Sequence, residues 1–303
     1  MRRTSPIVNL VLFLLTIAST LWAGGLSTEA KGVAAILVAG IPYSAALMGI
    51  LLTHEMGHYV MARLHKVDAT LPFFIPVPFG FGTLGAVIRI RSLLPSLKAV
   101  LDIGAAGPIA GFVVAVPLLF WGFAHSEVIH NVPTESPNAL WQCPWALVSA
   151  LASHQFHWPV DTKGPVEMGD SIITWLAGRV THGQLAVGSD IQIGSVGLAA
   201  WIGMFVTTLN MTPVGQLDGG HVIYALFGRW GDFVSRMFSW ALLGLGIFAS
   251  WSWFVWWALA RFVVGVRHPP AGDDAPLTPG GKVIAITSLA ILILTFVPVP
   301  FYL

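Results

Sequence analysis

The sequence predicts an all-α polytopic membrane protein of about six transmembrane helices, with a β-hairpin or re-entrant segment embedded among them. Three observations carry this. Of 303 residues, 55% are hydrophobic and only 10% charged, whereas soluble domains are about one quarter charged. Apolar runs of about 20 residues, the length that crosses the hydrocarbon core of a bilayer, recur along the chain. One further apolar stretch is too rich in proline and glycine to be a spanning helix.

The first run, 6–26, follows Arg2 and Arg3. It is longer than the core of a signal peptide and has no A-x-A site, so it reads as an uncleaved first helix. Runs at 33–62, 99–124, 196–214, 237–260 and 283–300 supply the other five spans. Basic residues favour the cytoplasmic side. With the N-terminus inside, Arg2, Arg3, Arg63, Lys66, Arg89, Arg91, Lys98, Arg229 and Arg236 fall there, against Lys31, Lys163 and Arg179 outside. The 261–282 loop is the exception: six spans put it outside, yet it holds Arg261, Arg267 and Lys282.

Residues 71–91 carry Pro72, Pro76 and Pro78 and then Gly80, Gly82 and Gly85, and end in an alternating run. Irregular or strand backbone at membrane depth is tolerated only against protein or a wet cavity, so this stretch should line something. Residues 125–194 are more polar and acidic, with a helix-like piece at 171–180, and read as an extracytoplasmic insertion.

No basic run supplies the footprint that nucleic acid requires. The single cysteine, Cys143, excludes an intrachain disulfide and a Cys-type zinc knuckle, so any metal must sit on histidine and carboxylate. At the end of the second run stands His54-Glu55-Met56-Gly57-His58. In a helix, i and i+4 place both imidazoles on one face for a single zinc, with Glu55 beside them as candidate base. Ionisable groups in a spanning segment cost a few kcal/mol each on insertion scales, so they are expected to face a cavity. A catalytic zinc takes three protein ligands and one open position. Asp218 lies in the Gly-rich, Pro-broken segment from Asn210 through Pro213 to Gly220 and is the leading third ligand; Asp102, before Gly104, is the rival.

His54-Glu55-Met56-Gly57-His58 together with the Asn-x-x-Pro-x-x-x-Leu-Asp-Gly pattern of 210–219 resembles the paired signature of the site-2 protease family of intramembrane zinc metalloproteases. Gly107-Pro108-Ile109-Ala110-Gly111 is similar to the small-residue motif of that family's intervening core helix, and the 71–91 stretch with Arg267-His268-Pro269-Pro270 resembles its bacterial and plant-plastid branch. The resemblance implies one Zn2+ per chain on His54, His58 and Asp218, Glu55 as the base, and Asn210 binding substrate or oxyanion. Many members of that family carry a PDZ module or a CBS pair; residues 125–194 are short and poorly strand-patterned for PDZ and only 298–303 lie at and beyond the end of the last run, so neither module is expected here. The expected organisation is a first helix and outer loop (1–32), a catalytic core in two parts (33–124 and 196–233) split by the insertion (125–195), and C-terminal transmembrane helices (234–303).

The expected activity is cleavage of transmembrane or membrane-anchored protein segments, as in regulated intramembrane proteolysis, in a bacterial inner membrane with the site toward the cytoplasm. The substrate must unwind locally, and its freed backbone groups need partners where water is scarce. An exposed strand edge along Thr83, Gly85, Val87 and Ile88 would supply them. A membrane zinc carrier and an inactive scaffold are the alternatives from other classes. Weaker features are His125, His130, His154, His157 and His182, a loose candidate for a second metal site; the Trp251 to Trp257 aromatics, read as an interface belt; and His221, beside Gly220.

Overall fold

The computed structural model describes residues 6–26, 28, 30–130, 167–186, 189–273 and 275–302. It is mostly helical, with α1 (Pro6–Leu26), α2 (Val33–Ala39), α3 (Ile41–Leu64), α4 (Leu97–Ala124), α5 (Ile172–His182), α6 (Ser195–Asn210), α7 (Asp218–Phe227), α8 (Gly231–Phe248), α9 (Ser252–Ala258) running into a π-helical turn (Leu259–Val264), and α10 (Pro279–Thr295). Three two-stranded antiparallel sheets join β1 (Phe73–Pro76) to β2 (Thr83–Val87), β3 (Glu127–His130) to β5 (Ser189–Gln192), and β4 (Glu167–Met168) to β6 (Phe301–Tyr302).

Length and apolarity let two helices cross a membrane, α1 and α4, and a third crossing is available if the bent pair α2 and α3 is one span. The chain is therefore a membrane protein. The expectation of six long spans is met only at this coarser level, because α6, α10 and the α9 segment are shorter apolar helices. The expected 33–62 helix is broken at Gly40 with a bend of 49°. Pro42 opens α3, and Gly40 abuts the Leu21 carbonyl of α1 so closely that a side chain has no room.

The expected 237–260 span is not one helix. The chain turns at 249–251 and α9 packs back along α8, with the Phe254 ring against Gly246. The 265–278 strap consequently returns to the end where α4 begins: the Gly272 N–H donates to the Leu94 carbonyl at 2.9 Å and the Leu97 N–H to the Asp273 carbonyl at 3.1 Å. Arg267 thus sits at the end that also holds Arg63, Lys66 and Lys98, which removes the charge exception that a single fifth span creates. Trp253, expected in an interface belt, is instead fully buried and donates its indole N–H to the Pro298 carbonyl at 2.7 Å.

Helix α4 is the hub. Its small residues let α3, α6 and α7 approach closely: Gly57 of α3 faces Ala106 and Ala110, Gly197 of α6 faces Gly122, and His221 of α7 faces Gly104. The β1–β2 hairpin lies along α1. Asn9 donates its side-chain amide to the carbonyls of Leu71 and Pro72, both at 2.9 Å, and the Ser19 hydroxyl donates to the Gly82 carbonyl at 2.6 Å. Side chains of α1 thus meet carbonyls at both ends of β1–β2, and the Gly82 carbonyl also accepts from the Val77 N–H at 3.2 Å.

Candidate metal centre

Helix α3 delivers His54, Glu55 and His58, all buried. Met211 to Leu217 form a tight non-helical passage, in which Gly215, at positive φ, meets the carbonyl of Gly265. That passage ends in α7, whose first residue is Asp218. A carboxylate is favoured there by the partial positive charge of the helix start. The Asp218 Oδ2 atom lies 3.2 Å from His54 Nε2 and 3.3 Å from His58 Nε2, and the two Nε2 atoms are 3.1 Å apart. Among the described residues this is the one group of three or more metal-ligating side chains brought together.

The spacing fits a metal ion. Ligand bonds of about 2.0–2.1 Å in a tetrahedron put ligand atoms about 3.3–3.4 Å apart. His58 Nδ1 is 2.6 Å from the Ile103 carbonyl, which only accepts, so Nδ1 carries a hydrogen and Nε2 is the ring atom left to face Asp218 and a metal ion. The α4 glycines make the room: a Cβ at Gly107 would collide with the His58 imidazole, and one at Gly111 would press on His54 at 3.2 Å. The resemblance to a small-residue core helix thus has a steric reason here.

Glu55 Oε2 is buried without a hydrogen-bond partner. A cleft of about 150 Å³ joins it to His54, His58, Asp218, Asn210, Gln216 and His221, and Ala86 to Ile88 also line it. The Ile88 N–H faces the Glu55 carboxylate. The Asn210 amide nitrogen is 3.4 Å from His54 Nε2, at the edge of the site.

Not every expected residue arrives. Val87 and Ile88 line the cleft, but Thr83 and Gly85 do not; the Thr83 hydroxyl is spent inside the hairpin on the Ile75 carbonyl and the Gly85 N–H. Asp102, the rival for third ligand, lies outside this group. Its Oδ2 is 2.9 Å from His65 Nε2 and contacts Lys98 Nζ, clamping the ends of α3 and α4. His125 bonds the Trp121 carbonyl, His130 bonds Ser189, and His182 bonds Thr181 and the Ser126 carbonyl, so none joins a metal group; His154 and His157 lie outside the described residues. A larger cavity of about 670 Å³, lined by Asp170, Trp175, Arg179 and Trp201, has no such set of ligands. Burial raises the Asp170 carboxyl above its ordinary pKa.

Sequence reasoning missed two neighbours of the cleft. Gln216 occupies an unspecified position of the Asn-x-x-Pro motif. His268, whose Nε2 is 2.6 Å from His221 Nδ1, sits in a loop that no spacing rule ties to α7.

The family model of peptidase family M50 matches residues 42–251, a stretch that contains the histidine pair, the glycine seam and Asp218. The chain belongs to peptidase family M50. The expected kinship with site-2 proteases is thereby borne out. Similar proteins include the probable zinc metalloprotease EGY1, chloroplastic, of Oryza sativa subsp. japonica, 28% identical over 85% of this chain and 40% of the relative. The EGY1 protein of Arabidopsis thaliana is 28% identical over 86% of this chain and 43% of its own length. The probable zinc metallopeptidase EGY3, chloroplastic, of Arabidopsis thaliana is 28% identical over 80% and 39%. The chain spans about two fifths of the length of these curated relatives. No solved structure matches it.

Proposed function

We propose that this family M50 chain is a zinc-dependent intramembrane endopeptidase that cleaves transmembrane or membrane-anchored protein segments. The observation that carries this reading is three ligand atoms 3.1–3.3 Å apart beside the unpartnered carboxylate oxygen of Glu55. His54, His58 and Asp218 would hold one zinc per chain. Bound there, zinc supplies a Lewis acid that polarises the scissile carbonyl and lowers the pKa of its water to about 7.

The chain's own groups do the rest. Glu55 takes the proton from the attacking water and hands it to the leaving amine. Asn210 donates its amide N–H to the carbonyl oxygen as charge grows there. The strand edge at Ala86 and Ile88 holds the unwound substrate. Backbone donors alternate along a strand, and since the Arg89 N–H bonds Thr70 and the Arg91 N–H bonds the Asp68 carbonyl, the Ile88 and Ile90 N–H groups turn to the other side, where both residues line the cleft. The hairpin's contacts along α1 support a place for it at membrane depth. Grouping of the basic ends supports a site open to the cytoplasm, and regulated release of anchored proteins at a bacterial inner membrane is the setting we favour.

The test is incubation of the purified chain in lipid nanodiscs with a panel of transmembrane peptides, with and without a chelator. Chelator-sensitive cleavage that Glu55→Gln abolishes while bound zinc persists is the expected result. Cleavage by Glu55→Gln at the wild-type rate would overturn the reading, and zinc flux without cleavage would replace it with a carrier.

A further inference from the structure

We propose that His221 is a further substrate-positioning group of this cleft, locked by His268 so that its Nε2 lone pair accepts a main-chain N–H of the bound peptide. The inference rests on the endopeptidase reading above and adds a residue, a role and a partner loop to it.

His221 is three residues beyond Asp218, on the neighbouring face of the first turn of α7. Its Cβ side packs on Gly104 and its ring lines the cleft. His268 comes from the 265–278 strap and is fixed on three sides. Its ring stacks on Tyr224 with centroids 4.1 Å apart, its backbone N–H donates to Asp232 Oδ1 at 3.0 Å, and its Nδ1 lies 2.6 Å from the Pro269 carbonyl.

These contacts dictate where the hydrogens are. The Pro269 carbonyl can only accept, so His268 Nδ1 carries the hydrogen. Burial holds the His268 imidazole below its ordinary pKa, so the ring is neutral and its Nε2 is a lone pair. The 2.6 Å contact to His221 Nδ1 then requires the hydrogen on the His221 side. What remains is His221 Nε2, an acceptor on a ring that lines the cleft and whose one hydrogen bond among the described residues is the Nδ1 contact to His268.

An extended peptide paired to the Ile88 edge presents a second edge on which N–H and C=O alternate. The facing wall carries a donor, the Asn210 amide, and this fixed acceptor. Together they match one N–H and one C=O of a peptide main chain, irrespective of its side chains. A main-chain N–H left unmet where water is scarce is costly, so the acceptor should matter to binding.

The experiment has two readouts on the full chain in nanodiscs. The first is 15N spectroscopy of ring-labelled histidines in zinc-free protein, which should find His221 with hydrogen on Nδ1; hydrogen on Nε2 would overturn the proposal. The second is steady-state cleavage of a transmembrane peptide. His268→Leu should raise KM about tenfold with kcat within twofold and one zinc retained, and His268→Gln, whose side-chain oxygen can replace the Nε2 acceptor, should restore wild-type KM. An unchanged KM in His268→Leu, equal losses in both variants, or two zinc ions per wild-type chain would each overturn it. A wild-type chain that cleaves no peptide would instead sink the endopeptidase reading, leaving the tautomer result to stand or fall separately.

Discussion

His54 Nε2 lies 3.2 Å from Asp218 Oδ2 although 164 positions separate the two residues. One sits inside a continuous helix and the other opens a helix after a proline and glycine break, so the distance between them is fixed by how α3, α4 and α7 pack.

Removing one of three ligands should release the ion, whereas removing the rival carboxylate should not. Asp218→Ala is expected to weaken zinc binding about a hundredfold or more. Asp102→Ala should keep full zinc and lose thermal stability, because it leaves His65 and Lys98 without their shared partner. Zinc content of the two purified variants by elemental analysis decides, and a zinc-replete Asp218→Ala would sink the ligand set.

Gly107→Ala drives a methyl group into the His58 ring. Overpacking of this kind costs about 1–3 kcal/mol, and here it displaces a ligand as well. Zinc content and cleavage should both fall. Gly49→Ala is the control on α3: a Cβ there meets nothing within 4 Å, so cleavage should be unchanged and melting slightly raised.

The two wall residues Val87 and Ile88 should separate under proline substitution. The Val87 position pairs with Phe73 across the hairpin, so Val87→Pro should loosen the hairpin and lower the melting temperature. Ile88→Pro removes the N–H that faces Glu55 and the cleft, so it should cut turnover at least about tenfold with zinc retained and melting little changed. Equal activity in wild type and Ile88→Pro would dismiss the strand edge as a substrate platform.

Sidedness is open to labelling. The ends of α4 are about 42 Å apart at 1.5 Å per residue, so His65, which bonds Asp102 near its start, and Ser126, just past its end, belong to opposite faces of a bilayer. Cysteines at 66 and 272 should resist an impermeant reagent added from outside, and one at 184 should react. A reactive 272 beside a protected 66 would break the α8–α9 return described above.

The parts of this molecule that a sequence exposes are those governed by local spacing. α1 was legible to the residue because its apolar run, 6–26, is uninterrupted. The i, i+4 histidines and the glycine pattern of 107–111 were legible for the same reason, and Asp218 by its broken helix start. The fold-back after Phe248 was not, because 237–260 keeps an apolar composition through a turn stabilised by tertiary contacts such as Trp253 on Pro298. His268 escaped for a related reason: its tie to His221, 47 positions away, depends on the path of the strap.

Because the His54 and His58 rings of α3 rest on Gly111 and Gly107 of α4, and Gly57 rests on the Ala106 backbone, the metal centre inherits the position of α4 itself. That helix, at 28 residues, is longer than the roughly 30 Å hydrocarbon layer it crosses, and it has to lean or protrude by an amount the surrounding lipid sets. A change of acyl-chain length should then shift the spacing at His58 directly, making lipid thickness a dial on the rate of the proposed cleavage.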